Sequence, residues 1–454
     1  MQNEKNHYNP SMSRFGQYLI DTFQFSSDES EEIMYAMKEP IGKSIRINTR
    51  KIALTDFKIH AKKQGWILTD TDIPEVFLID RDDTTIALGN TIEHMAGWFY
   101  IQEVAAAHPP FLLHSEVQKK NPIHHGIIID MCAAPGGKTT QLADYFADSL
   151  IIANEVNRTR TPQLFDNLDR MGYDNIAVVS CDGRFFQNFP DFFDAVLLDA
   201  PCSGEGTAFR DSSVIDHWNE KNIHRIAKLQ KQLIETAETI VKPAWMISYS
   251  TCTLNTIENE EVIDSRLQQE NTGLKEIFRK RFWPHIEHTG WFFASIFQKK
   301  KTENIHHEYP ILAAQGQKNL IVTPATKWER ETVERFISKH LKTKLKDGFL
   351  YLTKDGVYFN QKNLGPLADY FYFVHAGARI GTMKKNIFTP MNHLFWCVED
   401  TSSIIPLEVT SEMWNEILAR KSVKTTSQDG YYSLTYCGRN IGIGEVRKGE
   451  FLWI

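Results

Sequence analysis

Residues 127–146 read Ile-Ile-Ile-Asp-Met-Cys-Ala-Ala-Pro-Gly-Gly-Lys-Thr-Thr-Gln-Leu-Ala-Asp-Tyr-Phe, and they leave few folds open to the chain. Three isoleucines ended by Asp130 have the pattern of a short strand buried on both faces. Small residues and Gly136-Gly137 then let a backbone turn approach a ligand closely, and Thr139-Thr140 open a helix whose apolar face includes Leu142, Ala143 and Phe146. Strand, glycine turn and helix in that order are the nucleotide cradle of doubly wound α/β sheets. Gly-Lys-Thr also occurs in phosphate-binding P-loops. Those need a glycine five residues before the second one, and that position is Cys132, so a P-loop ATPase fails at a geometric requirement.

The pattern continues downstream. Apolar runs at 151–153, 176–179, 195–198 and 245–249 read as strands, separated by helical stretches at about 158–171 and 223–241, the first stopped by Gly172 and the second by Pro243. Alternation of this kind makes a parallel sheet, which binds ligands at the carboxyl ends of its strands. Asp130, Glu155, Asp182, Asp199 and Cys252 each fall at such an end.

At 454 residues the chain exceeds one ordinary core, and several domains are expected. Before residue 100, Ile20, Phe23, Phe25, Ile33, Met34 and Met37 point to helices, and 44–48 alternates like a strand. Arg46, Arg50, Lys51, Lys58, Lys62 and Lys63 read as a solvated charged face or a contact with a polyanion. Beyond Lys299-Lys300-Lys301 and a turn-rich linker, a helix is expected at 328–341. Short strands follow at 349–358, 371–375, 394–398, 431–436 and 451–454. Expected divisions are an α+β segment over 1–100, a Rossmann-like core over 101–302, a small α+β domain over 303–380 and a further module over 381–454.

No run is long and apolar enough to span a membrane, and the first ten residues lack the layout of a signal peptide, so a cytoplasmic protein is expected. The six cysteines lie far apart without a Cys-x-x-Cys pair; reduced thiols and no metal are expected. The net charge of −6 argues against a general coat for nucleic acid but leaves local basic surfaces open.

Glu155 is placed to accept from the two hydroxyls of a ribose, and Asp182 from an adenine amino group. The turn from Cys132 through Ala133, Ala134, Pro135, Gly136 and Gly137 to Lys138 offers backbone N–H groups and one ammonium to a carboxylate. Adenosine with an amino-acid carboxylate describes S-adenosyl-L-methionine; the alternative is that both acids merely cap helices. Cys202 and Cys252 both follow strands on the ligand edge, where a thiol is either a nucleophile or a small buried hydrophobe.

At these residues the chain resembles the Sun-type (nucleolar protein-like) RNA cytosine-5 methyltransferases. The resemblance is carried by Asp130-Met-Cys-Ala-Ala-Pro-Gly-Gly-Lys-Thr, Asp199-Ala-Pro-Cys-Ser-Gly-Glu-Gly-Thr and Tyr249-Ser-Thr-Cys-Thr-Leu-Asn with Glu258-Asn-Glu. Glu93-His-Met-Ala-Gly-Trp-Phe-Tyr-Ile-Gln-Glu, Trp283-Pro-His and Gly290-Trp-Phe-Phe add to it. It covers roughly residues 40–300. The tail, including 375–390, is similar to the bacterial branch acting on 16S ribosomal RNA, which ends in a PUA-like RNA-binding module. The resemblance therefore implies an S-adenosylmethionine-dependent methyltransferase core with RNA-binding modules on either side.

It also implies roles. Cys252 would be the nucleophile and Cys202 would assist product release. The turn residues, Glu155, Asp182 and Asp199 would line the donor and base pocket, with Arg160 matching the family's arginine. Asn154-Glu155 stands where Asn-Asp is usual, which lengthens the acid by one methylene. Lys138 is open between holding the methionine carboxylate and reaching toward Asp199 and the target base. The target base must leave its stack. The expected partner is RNA, foremost ribosomal RNA or the small ribosomal subunit, taken by a monomer. Transfer RNA, DNA and a non-catalytic ribosome assembly role are the alternatives. Arg279, Lys280, Arg281, Lys384 and Lys385 are candidates for RNA contact.

Overall fold

The computed structural model describes residues 10–36, 41–120, 122–207, 219–287, 289–301, 307–310, 321–354 and 356–454. Met37, the first nine residues and most of the expected linker after Lys301 lie outside these. The early helices are Pro10–Phe23 and Ser27–Ala36. Strands β1 (Ser44–Ile47), β2 (Trp66–Asp70), β3 (Val76–Arg81) and β4 (Phe99–Ile101) form a small sheet in the order β2-β3-β1-β4.

The central sheet is built from β5 (Ile127–Asp130), β6 (Leu150–Asn154), β7 (Ile176–Val179), β8 (Phe193–Asp199), β9 (Val241–Thr251), β10 (Leu274–Phe282) and β11 (Phe292–Lys299). Strands β5 to β9 pair in parallel, and β11 and β10 close one side antiparallel. Alternation through the isoleucine run explains the double burial. Ile129, with Ile152, Val196 and Ile247, packs beneath the helix Glu220–Ile240 through Leu233 and Ala237. Ile128, with Ile151, Val178 and Ala195, packs on the opposite face against Leu113, Leu142 and Leu164, from the helices Val104–Lys120, Gly137–Tyr145 and Thr161–Met171. The helix Glu220–Ile240 ends before Pro243, which lies within β9.

In the C-terminal third, β12 (Thr323–Pro324), β13 (Phe349–Leu352), β14 (Val357–Asn360), β15 (Phe373–His375), β16 (Ala378–Lys384) and β17 (Ile387–Pro390) precede β18 (Pro406–Glu408), β19 (Val423–Lys424), β20 (Gly430–Tyr436), β21 (Arg439–Arg447) and β22 (Glu450–Trp453). Two five-stranded sheets result, β12-β13-β14-β16-β17 and β18-β20-β21-β22-β19. The expected helix is Lys327–Phe336, continued by a π-helical turn to Leu341.

Three expectations change. The boundary expected at 380/381 cuts through β16, which shares one sheet with β12, β13, β14 and β17. The expected strand at 394–398 is instead a 3-10 helix, Asn392–Cys397, with Leu394, Phe395 and Cys397 buried. The strand expected at 371–375 does not belong to the tail's own sheets: β15 pairs antiparallel with β7 and becomes the eighth strand of the central sheet.

The two ends of the chain share a core. Ile45, Phe57 and Trp98 pack with Val409, Leu434 and Phe451. Trp98 Nε1 donates to the Asn440 carbonyl at 3.3 Å and Trp414 Nε1 to that of Asn90 at 3.0 Å. No helix among the described residues is long and apolar enough to cross a membrane.

Candidate active site

The turn after β5 is held from both sides. Asp130 accepts from the Thr139 hydroxyl at 2.7 Å and from Cys132 N at 3.3 Å, folding the loop back onto its own strand. Burial pushes its carboxyl up to about 7. Gly136 caps the next helix with φ +106, in the left-handed region that favours glycine, and a Cβ there would press on Leu164 at 3.0 Å.

Arg46 comes in from β1, fully buried. Its Nε donates to Gln102 Oε1 at 2.8 Å, and its Nη2 donates to Thr140 Oγ1 at 2.7 Å and the Gly137 carbonyl at 3.2 Å. Arg50 pairs with Asp174 at 2.9 Å. Lys51, partly buried, donates to the carbonyls of Ala96 at 2.9 Å and Arg170 at 3.1 Å, and burial holds its ammonium well below the ordinary lysine range. Both readings of this basic stretch are therefore corrected for Arg46, Arg50 and Lys51: they staple the N-terminal segment to the catalytic core.

Opposite the turn, β8 and β9 deliver two thiols. The strands run parallel with Asp199 beside Ser250, and the loops that leave them bring Cys202 Sγ to 3.1 Å from Cys252 Sγ. The two are not equivalent. A hydrogen bond from Cys202 lowers the Cys252 pKa against burial and the nearby Asp199, with Lys138 assisting. The same contact, reinforced by burial, pushes Cys202 well above the ordinary thiol range. Of the pair, Cys252 is the one whose thiolate form is favoured. Cys132 is driven well above the ordinary value by burial and the carboxylates around it, and Cys181 is pushed up to about 12, so neither competes.

Lys138 Nζ lies 2.8 Å from Asp199 Oδ2, and the other Asp199 oxygen accepts from the Ser250 hydroxyl at 2.7 Å. Burial opposes the ammonium charge, but Asp199 outweighs it and holds Lys138 above its ordinary value. Of the two positions open to Lys138, the structure has the one on Asp199, with the Phe292 ring 4.8 Å from Nζ.

A cavity of about 410 Å3 opens between the turn and the thiols. Of the predicted residues, Cys132, Ala133, Ala134, Pro135, Gly137, Lys138, Arg160, Asp199 and Cys252 line it. Cys202 stands behind Cys252, and Gly136, Glu155 and Asp182 are outside the lining. Glu155 is buried and already accepts from Ala134 N at 3.2 Å and Asn157 N at 2.7 Å, while Arg160 donates to the Ala134 carbonyl. Asp182 is half-exposed and grips Arg184, its Oδ2 2.6 Å from Nη2.

Residue-level reasoning missed Tyr100, Glu103, Gly206, Trp291 and Phe292, which also line the cavity. The signal for Tyr100, Glu103, Trp291 and Phe292 was present in the segments ending at Glu103 and beginning at Gly290, which carried no assigned role, and that for Gly206 in the motif beginning at Asp199. Glu103 accepts from Gly290 N at 2.7 Å and joins those segments. The RNA-contact candidates near 280 already have partners within the chain. Arg279 is held by Glu276 at 2.7 Å and Asp264 at 2.6 Å, Lys280 lies 3.4 Å from Glu287, and Arg281 is 2.6 Å from Glu260 and packed on Phe23 and Trp283.

Comparison with known proteins bears on this geometry. The model of a family described as 16S rRNA methyltransferase RsmB/F matches residues 117–298, and that of the N-terminal domain of 16S rRNA methyltransferase RsmF matches 17–104. The ribosomal RNA small subunit methyltransferase F of Psychromonas ingrahamii is 31% identical, over 91% of this chain and 90% of the relative. Its counterpart from Shewanella loihica is 32% identical over 91% and 88%. Among solved structures, a methyltransferase homolog protein from Pyrococcus horikoshii aligns with TM-score 0.55 at 27% identity, over 64% of this chain and 100% of that one. NSun6 from the same organism, solved with SFG, shares the fold at TM-score 0.55 and 23% identity, over 63% and 98%.

Proposed function

The chain belongs to the RsmB/F family of 16S rRNA methyltransferases, and from that premise we propose that it methylates carbon 5 of a cytosine in 16S ribosomal RNA through a covalent Cys252 adduct at carbon 6. It is an RNA methyltransferase that uses S-adenosylmethionine. The observation that carries the proposal is the pair of thiols in contact at the rim of a cavity that also holds the Lys138–Asp199 pair.

The residues around the cavity suit the methyl donor. Asp199 and Glu103 offer negative charge, and Tyr100, Trp291 and Phe292 offer aromatic faces, to a sulfonium cation. We assign the methionine and sulfonium portion to Cys132, Ala133, Ala134, Pro135, Gly136 and Gly137, and the adenosine portion to Glu155, Arg160 and Asp182. When bound, S-adenosylmethionine supplies an electrophilic methyl group for carbon 5 of the base.

Carbon 5 of cytosine is a poor nucleophile. The Cys252 thiolate adds to carbon 6, forming a C–S bond and pushing density onto carbon 5. Asp199, steadied by Lys138 and Ser250, hydrogen-bonds the ring edge and draws electrons in. After methylation, a base removes the carbon 5 proton, the C–S bond breaks and Cys252 leaves as a thiolate. Cys202, the protonated neighbour, assists this release. We assign the C-terminal sheets to RNA binding, including a PUA-like module in the last residues, and take the enzyme as a cytoplasmic monomer acting on ribosomal RNA or the small subunit.

Bisulfite sequencing of total RNA from cells with and without the gene tests the function. One 16S cytosine losing its protection is the expected result. Loss confined to transfer RNA would move the substrate, and no loss anywhere would leave an assembly factor.

A further inference from the structure

Two buried glutamates cross between the cysteine-bearing loops. The loop after β8 carries Cys202 and then Glu205, and the loop after β9 carries Cys252 and then Glu258. Glu205, with no exposed surface, accepts from the backbone N–H groups of Leu254 and Asn255, each at 3.0 Å, and from Thr253 Oγ1 at 2.8 Å. Glu258, equally buried, reaches the other way and accepts from Ser203 N and Gln230 Nε2, each at 2.9 Å.

Asn255 ties the carboxylates together, its Nδ2 donating to Glu205 Oε1 at 3.0 Å and Glu258 Oε1 at 2.8 Å. The Ser203 and Thr253 hydroxyls meet at 2.8 Å. Gly206 N donates to the Cys252 carbonyl at 2.9 Å, an approach so close that a Cβ at Gly206 would fall 2.8 Å from that oxygen.

Neither glutamate lines the cavity. A carboxylate in a dry interior is costly unless donors satisfy it, and joining two loops does not by itself require charge. Here each acid comes from one cysteine's loop and binds the backbone beside the other cysteine. Charged acceptors fix donor positions more tightly than neutral ones, and a misplacement of about 1 Å at a reacting group is enough to cost a large factor in rate. We propose that Glu205 and Glu258 are positioning residues for methyl transfer, a crossed clamp that sets the distance and direction of the Cys202 and Cys252 sulfurs. The inference rests on Cys252 being the nucleophile and Cys202 the releasing thiol.

The test uses Glu205→Gln, Glu258→Gln and the milder Thr253→Val, which removes cross-loop hydroxyl bonds but leaves both carboxylates. Iodoacetamide alkylation of Cys252, resolved from Cys202 by peptide mass and followed across pH, reports the thiol pair without RNA. Turnover with RNA and S-adenosylmethionine is measured in parallel. A clamp predicts that the alkylation midpoint moves toward higher pH in all three variants. It also predicts that kcat drops by about tenfold or more in the Gln variants while KM for both substrates stays within about twofold.

Folded Gln variants with the wild-type alkylation profile overturn the proposal. So does a pair of unfolded Gln variants alongside a Thr253→Val protein of unchanged profile, since the acids then serve folding alone. If Cys252→Ala still turns over, the nucleophile assignment fails, and the alkylation profiles then decide the clamp alone.

Discussion

Cys202 and Cys252 hold their sulfurs 3.1 Å apart across loops leaving adjacent parallel strands, and that contact makes two chemically identical side chains unequal. A proton shared between two close thiols sits on one of them. The Lys138 ammonium favours the charge at Cys252, while burial and the Cys252 contact keep Cys202 neutral.

Substituting the two thiols is expected to give different failures. Cys252→Ala removes the nucleophile, and turnover falls by at least about 10⁴-fold. Cys202→Ala leaves attack and methylation intact but slows release, so a covalent RNA–protein adduct accumulates and is visible as a retarded band after denaturing electrophoresis. An adduct with Cys252→Ala and none with Cys202→Ala would reverse the roles and move the chemistry toward that of DNA methyltransferases.

The pH dependence of Cys252 alkylation has a definite sign. Its thiolate is favoured in the fold, so the rate reaches its half-maximum below the ordinary thiol pKa. The hydrogen bond from Cys202 is the leading cause, so Cys202→Ala shifts that half-maximum upward. A downward or absent shift would show that Lys138 alone sets the charge.

Lys138→Met keeps the length of the side chain and removes its charge. Asp199 is left with Ser250 as its partner, and the base is held less firmly. A loss of about 10²-fold in kcat is expected, with S-adenosylmethionine affinity, measured by calorimetry, changed by less than about fivefold. If affinity collapses and kcat does not, Lys138 works on the donor rather than on Asp199.

Arg46→Met tests the staple between β1 and the glycine turn. Removing one partner from a buried charged network costs roughly 3 kcal/mol, here because Gln102, Thr140 and the Gly137 carbonyl lose their donor together. Urea denaturation reads the loss. A surface role would leave the midpoint unchanged.

Legibility from sequence followed locality. The turn at 127–146 and the placement of Asp130, Asp199 and Cys252 at strand ends were readable because each is encoded within a few residues. Arg46 was not, because its partners lie 56 and 94 positions away and nothing in a run of cations marks the one that is buried. The run at 394–398 was misread because a short apolar stretch has no period to separate strand from helix. β15 was seen as a strand, but its partner was not: three residues cannot specify which sheet edge they join, and the choice of β7 is made by tertiary packing. Contact between the two thiols was suggested by their strand ends, whereas the glutamates that cross between their loops were not foreseen.

β15 bolts the C-terminal third onto the far edge of the catalytic sheet, and His375 Nε2, 2.8 Å from Asp169, locks it there. The C-terminal third is thereby joined to the cysteine-bearing sheet by shared strand hydrogen bonds, and not by the chain connection alone. Cutting the chain before β15 would bare the edge of β7, an open template for pairing with another molecule.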